Sequence, residues 1–184
     1  MMGKKEFLAE FDQKYYPLLQ GRAQSFRDVF EALGPEVTIV ETGTLREPGN
    51  WAGDGQSTLL FDRYVTHCLG KVYSIDINPR NSEVAKPLVT FAVTFIVEDS
   101  LKFLPRLEEP IDLLYLDSLD GDMKGTAEHQ LQEFLEAKKN LHSGSIVFID
   151  DRSYKGRLLI PYIEGVLGWP SLTRGGIQDA WRVP

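Results

Sequence analysis

The sequence implies an α/β domain with two N-terminal helices and a doubly wound, mostly parallel sheet, because compact β-branched runs alternate with helical patterns and each run ends on an acidic residue. Over residues 7–33 apolar side chains recur at helical spacing, with a break near Pro17 and a stop at Gly34, so two helices precede the sheet. Five strands follow: VTIVET from Val37, KVYSID from Lys71, VTFIVED from Val93, DLLYLD from Asp112 and SIVFIDD from Ser145. Helical patterns over 57–69 and 126–141 separate some of them, and shorter helices are expected over 100–107 and 157–166. Strand–helix alternation of this kind favours right-handed crossovers between parallel strands. The closing SLTRGG and DAWRVP segments are expected to pair antiparallel.

With 184 residues, 42% of them hydrophobic, the chain can bury one substantial core, and residues 1–184 are read as a single domain carrying a helical cap over 1–34. A formal net charge of −7 argues against a protein that neutralises nucleic-acid phosphates, so no nucleic-acid partner is expected. The single cysteine, Cys68, cannot form an intramolecular disulfide and reads as a small buried side chain in a reducing compartment. The N-terminus lacks a continuous apolar segment and no run approaches a membrane span, so no membrane partner and a cytoplasmic location are expected.

Ligands on open α/β sheets bind beyond the carboxyl ends of the strands. Here those ends carry Glu41-Thr42-Gly43, Asp76, Glu98-Asp99-Ser100, Asp117 and Asp150-Asp151. The first strand runs into a loop with Gly43, Gly49, Gly53 and Gly55, after which Ser57 or Thr58 can cap a helix. This is not the short G-x-G-x-x-G of a dinucleotide site, and Glu41 would be poorly placed beside a pyrophosphate but suits a ligand bearing an ammonium group. Asp76 is placed to accept hydrogen bonds from two ribose hydroxyls, a position common to sheets that bind NAD and sheets that bind S-adenosylmethionine.

From about Val37 to Asp151 the chain resembles the class I S-adenosylmethionine-dependent methyltransferases, which have a Rossmann-like fold. The resemblance rests on VETGT with the later GDGQST, on VYSIDINP, on VEDS, and on LLYLDSLDGDM and IVFIDD. It implies that Asp76, with Ile77 beside it, holds the ribose, that Asp99 and Ser100 lie by the adenine, and that the first motif, with Glu41, Thr42, Gly43, Gly55 and Ser57, receives the methionine end. Asp117 is expected at the cofactor and at the reaction centre. The first loop is longer than the compact family pattern, which leaves open which glycine lies under the cofactor.

Asp117, Asp150 and Asp151 would converge if the fourth and fifth strands are neighbours, and three carboxylates that close repel unless a cation neutralises them. Oxygen ligands select a hard ion, Mg²⁺ or Ca²⁺, over zinc. The pattern is similar to metal-dependent O-methyltransferases of the catechol, caffeoyl-coenzyme-A and macrolide-sugar types, in which an Asp after strand four and a pair after strand five hold a metal that aims an acceptor oxygen at the methyl group. That resemblance implies a divalent ion on Asp117, Asp150 and Asp151, with Asp120 and Asp122 as alternatives for the strand-four ligand. Where catechol-type enzymes carry a lysine base this chain has Asp120; proton removal is open between Asp120, His129 and metal-bound water. On its own spacing His129 reads as an exposed helix position, and His67 and His142 read as helix-end residues.

The expected activity is methyl transfer from S-adenosylmethionine to a small-molecule hydroxyl, with a homodimer expected by analogy. Candidate acceptor-pocket walls are Tyr15, Tyr16, Arg46, Trp51, Arg152 and Tyr154, although Trp51 could equally pack on the core. Two other readings stand beside it: a sensor or accessory domain that binds the cofactor without turnover, and a nicotinamide-dependent dehydrogenase, which the missing glycine fingerprint disfavours.

Overall fold

In the computed structural model, which describes residues 2–53, 56–121 and 123–184, one seven-stranded sheet runs in the order β3-β2-β1-β4-β5-β7-β6. The strands are β1 (Val37–Thr42), β2 (Gly70–Asp76), β3 (Val93–Val97), β4 (Ile111–Leu116), β5 (Leu141–Ile149), β6 (Ser171–Gly175) and β7 (Gln178–Arg182). The first five are parallel; β7 lies antiparallel between β5 and β6, so the closing pair expected from the tail adds itself to the sheet edge. Five strands, their order of appearance and the doubly wound layout agree with the sequence.

The helices that cover the sheet include α1 (Met2–Glu10), α2 (Ala23–Ala32), α3 (Ser57–Cys68), α4 (Pro79–Ala85), α5 (Ser100–Phe103), α6 (Thr126–Ala137) and the short α7 (Leu159–Pro161). Between α1 and α2 the chain passes through a wide turn at Phe11–Tyr15 and two single 3₁₀ turns, one of which contains Pro17. A proline there withdraws a donor and prevents a continuous helix. α4 was not foreseen, although Asn78 accepts a hydrogen bond from Arg80 N–H at 3.1 Å and Pro79 takes the first helical position, an ordinary start signal. The helix expected over 126–141 stops at Ala137 and one 3₁₀ turn, and β5 begins at Leu141 because Leu141 pairs with Ile111 of β4. His142 therefore lies in a strand, not at a helix end.

Strand side chains alternate between faces, and each face has its own core. One packs Phe26, Phe30, Phe61 and Tyr64 of α2 and α3, with Phe7 of α1, against Tyr115 and Phe148 of the sheet. The other packs Phe134 of α6 and Ile163 against Val40, Leu114, Val147 and Trp181. The N-terminal helices thus bury aromatic rings directly on the sheet, as in the edge-on contact of Phe26 with Phe148 at 5.1 Å. Cys68 is buried and free. Among the described residues no helix is long and apolar enough to cross a membrane.

Candidate active site

Register at the carboxyl edge of the sheet decides which side chains meet. The parallel ladders set Ile75, Thr42, Leu116 and Ile149 in one row across β2, β1, β4 and β5. They continue one rung further: Gly43 N–H donates to Ile75 O (2.8 Å), Asp117 N–H to Thr42 O (3.0 Å) and Asp150 N–H to Leu116 O (3.3 Å). Asp76, Gly43, Asp117 and Asp150 therefore follow one another at the carboxyl ends of the strands, centred where the strand order reverses between β1 and β4. Two adjoining cavities open there. A charged one of about 320 Å³ is lined by Arg22, Asp117, Asp150, Asp151 and Lys155 among others. A more apolar one of about 200 Å³ is lined by Ile75, Asp99, Ser100 and His129 among others, and both share Gly43, Asp76, Ile77 and Leu119.

Asp76 is already tied into the fold. Its Oδ2 accepts from Thr44 N–H (3.0 Å) and Asn81 Nδ2 (2.9 Å), and its Oδ1 from Asn78 N–H (2.8 Å). A carboxylate offers about four lone-pair sites, so accepting capacity remains on the cleft side. Ile77 beside it is 72% exposed and forms an apolar shelf between the cavities. Gly43 adopts φ +89°, and an added Cβ would stand 2.6 Å from the Asp117 carbonyl oxygen. The close approach that demands glycine here is thus to the backbone after β4, a constraint of the fold that acts before any ligand arrives.

At the apolar cavity, Asp99 caps α5 by accepting from Leu101 N–H at 3.0 Å. The Ser100 hydroxyl donates to Glu133 Oε1 at 2.6 Å. Glu133, fully buried on α6, also accepts from Ser118 (2.7 Å) and Thr42 (3.2 Å) and lies 3.2 Å from His129 Nε2. One carboxylate so gathers the ends of β1 and β4 and the start of α5. His129 is half-buried rather than exposed, since its bond to Glu133 holds it inward and raises its pKa.

Thr42 and Glu41, for which the resemblance implies a place at the methionine end, line neither cavity. Alternation along β1 sends Thr42 to Glu133 and Glu41 to the opposite face, where it is fully buried and accepts from Thr58 Oγ1 and from Ser74 Oγ (3.3 Å). Burial pushes the Glu41 pKa up to about 8, against the pull of those hydroxyls, so the group is largely a neutral acid near neutral pH. Its Oε2 has no hydrogen-bond partner among the described residues. Ser57 lines the charged cavity, but the residue before α3 in the capping position is Gln56, in left-handed backbone; Thr58 is spent on Glu41 and Leu45 N–H (3.0 Å). Gly55 and Asp122 lie outside the described residues.

Asp117, Asp150 and Asp151 do converge, and the cations that balance them belong to the chain itself. Lys155 Nζ donates to Asp117 Oδ1 at 2.6 Å and stands 3.3 Å from Asp151 Oδ2, with its side chain 4% exposed. Arg22 Nε donates to Asp150 Oδ2 at 2.8 Å. Burial pulls the Lys155 pKa down, but Asp117 and then Asp151 more than offset this and leave it raised; burial and the Asp117 carboxylate raise Asp150, while Arg22 lowers it. A Mg²⁺ or Ca²⁺ ion within the usual 2.0–2.6 Å or so of Asp117 and Asp151 oxygens would have to stand about where Nζ stands. The expected metal set therefore does not fit: two buried cations already meet three carboxylates. Among the described residues no group of three or more His, Cys, Asp or Glu side chains is arranged to hold a metal ion. Asp120 lies at the cavity's edge in an exposed ion pair with Arg46 Nη1 at 3.0 Å.

A family profile described as "Methyltransferase domain" matches residues 50–152, more than half of the chain. The chain belongs to this methyltransferase family. The methyltransferase is similar in fold to a putative rRNA-methylase from Clostridium thermocellum (15% identity, 88% of this chain and 97% of that one, TM-score 0.64). It is similar also to CalS11, described as TDP-rhamnose 3'-O-methyltransferase of calicheamicin biosynthesis (15% identity, 98% and 93%, TM-score 0.60). A third similar structure is the SAH-bound methyltransferase PaMTH1 from Podospora anserina (16% identity, 99% and 88%, TM-score 0.61). No curated protein sequence matches the chain. Membership of this family sets aside the dehydrogenase reading.

Three residues of the methyltransferase site escaped the sequence analysis: Arg22, Glu133 and Lys155. Lys155 had a local signal, an Asp151-to-Lys155 spacing of one helical turn, whereas Arg22 and Glu133 find their partners only through the fold. Of the expected acceptor-pocket walls, Arg46 lines the charged cavity, whereas Trp51 packs on Tyr15 at 5.7 Å against the core. Arg152 instead pairs with Asp179 at 2.9 Å.

Proposed function

We propose that this methyltransferase binds S-adenosylmethionine along the two cavities and transfers its methyl group to a hydroxyl oxygen of a small-molecule acceptor. The observation that carries the reading is the row Asp76, Gly43, Asp117, Asp150. It runs from a carboxylate with accepting capacity beside an apolar shelf, past a bare backbone turn, to a charged cavity of small-molecule size. In this reading Asp76 takes a ribose hydroxyl, Ile77 with the Asp99–Ser100 turn flanks the adenine, and Gly43 and Ser57 border the methionine end. The SAH bound by the Podospora methyltransferase, which is the demethylated product S-adenosylhomocysteine, supports the cofactor. The role of CalS11 as a TDP-rhamnose 3'-O-methyltransferase supports a sugar-like hydroxyl as acceptor.

When bound, S-adenosylmethionine would supply an electrophilic methyl on a sulfonium to the acceptor oxygen, the C–S pair returning to sulfur and the hydroxyl proton passing to a base such as Asp120 or to water. The chain's contribution is positioning: Lys155 and Arg22 fix the carboxylates of Asp117, Asp151 and Asp150 as oriented acceptors for acceptor hydroxyls. Of the side chains considered for proton removal, Asp120 borders this charged cavity, whereas His129 borders the apolar one.

Calorimetric titration with S-adenosylmethionine, S-adenosylhomocysteine and NAD tests the reading. Saturable binding of the first two and none of NAD is expected, followed by radiolabelled methyl transfer to polyhydroxylated acceptors. No affinity for either sulfur compound would overturn it; binding without transfer across the acceptor panel would favour a sensor or accessory role.

A further inference from the structure

We propose that Lys155 is the resident cation of the acceptor cavity, holding Asp117 and Asp151 in the place a divalent ion would otherwise take, so that this methyltransferase binds no metal there. The inference rests on the reading of the charged cavity as the acceptor site. Three observations converge on it. First, Nζ donates to Asp117 Oδ1 and to the Asp117 carbonyl oxygen at 3.4 Å and forms an ion pair with Asp151 Oδ2 at 3.3 Å, so one ammonium ties both carboxylates. Second, the lysine cannot easily swing away. It is buried, one turn after Asp151 whose carbonyl accepts its backbone N–H at 2.9 Å, and it is followed by Gly156, where even a Cβ would meet the Ile149 and Ile160 side chains at 2.7 and 2.8 Å. Third, the remaining carboxylate, Asp150, is spoken for by Arg22 and by Asp151 N–H at 2.9 Å.

A dication entering between Asp117 and Asp151 would meet the Lys155 ammonium, with the Arg22 guanidinium beside neighbouring Asp150, and would be repelled by both charges. Lys155 is in this sense a positioning residue: it orients carboxylates that face the cavity without itself needing to react. Removing its charge should leave Asp117 and Asp151 as a two-carboxylate site open to a divalent ion, because these oxygen ligands would lose their resident counter-charge.

The test is uptake of Mn²⁺, followed by the electron paramagnetic resonance of the free ion, by the full chain with and without S-adenosylhomocysteine. The wild-type protein is expected to take up no Mn²⁺ at this site. The Lys155→Gln variant should acquire a single, saturable ion, and should lose it again when Asp117→Asn is added. Wild-type protein that binds one Mn²⁺ and loses it on Asp117→Asn overturns the proposal, as does a folded Lys155→Gln protein with no uptake. Should that variant fail to fold, the wild-type titration still decides. Calorimetry of S-adenosylhomocysteine on the same samples separates the two readings, since absent nucleoside binding with the expected Mn²⁺ behaviour would overturn the cofactor site while leaving the assignment of Lys155 intact.

Discussion

Arg22 Nε and Asp150 Oδ2 lie 2.8 Å apart across 128 residues of sequence, joining the turn before α2 to the end of β5. The same guanidinium donates through Nη1 to the Ala52 carbonyl at 3.1 Å, so one side chain fixes the helical cap, the first loop and an acid of the cleft. Both partners are nearly buried, and removing one strands the other's charge. Arg22→Met should therefore cost about 3–5 kcal/mol of folding stability, with part recovered when Asp150→Asn is added, as read from urea unfolding. A loss below about 1 kcal/mol would place the pair with ordinary surface ion pairs.

Gly43 is constrained twice, by φ +89° and by the Asp117 carbonyl where its Cβ would go. Gly43→Ala should lower stability by about 1–3 kcal/mol and weaken S-adenosylmethionine binding together with it, because the collision shifts the turn between the two cavities. Unchanged melting with lost binding would mean that the strain is relieved locally and that glycine serves the ligand alone.

Asp76→Ala should weaken S-adenosylmethionine binding by roughly 1.5–3 kcal/mol, the worth of the one hydrogen bond to a charged acceptor that the remaining lone-pair site can take. It also frees Thr44 N–H, Asn78 N–H and Asn81 from their acceptor, so thermal stability should be measured alongside. Unchanged affinity in calorimetry would remove Asp76 from the ribose site.

The strands were legible because β-branched runs such as VTIVET and SIVFID are buried on both faces, and their acidic ends were legible because the parallel register carries each strand's next residue to the same edge. Thus Asp76, Gly43, Asp117 and Asp150 could be named from sequence alone. What those acids meet could not. The repulsion expected among Asp117, Asp150 and Asp151 was sound physics, but the charges that answer it come from Lys155, one turn downstream, and from Arg22, near the other end of the chain. Glu133 carries no distinguishing signal on its helix, and only the packing of α6 brings it to Ser100, Ser118 and Thr42. The start of β5 was obscured by the polar HSG tract, in which Gly144 has φ +94° and the strand is held through Ser145 Oγ to the Ile111 carbonyl at 2.7 Å.

Glu41 supplies a pH-dependent prediction. Its pKa, ordinarily near 4.5, is pushed up to about 8 in the folded chain, chiefly by burial. Below the ordinary value the folded and unfolded states are both protonated, and the group leaves their balance unaffected. Between that value and about 8 the unfolded chain has lost a proton that the folded chain still holds, so stability falls as pH rises, and the loss is complete above the folded pKa. Glu41→Gln keeps an acceptor for Thr58 and places an uncharged group at the unpartnered Oε2, which removes the titration while preserving the shape. The melting temperature of this variant relative to wild type should therefore climb by at least about 3 °C between roughly pH 5 and pH 8.5, the shift that about 1 kcal/mol produces in a chain of this size. Taking the difference between the two proteins cancels the other buried acids, Asp150 included. Parallel melting curves across that range would show that Glu41 ionises equally in the folded and unfolded chain.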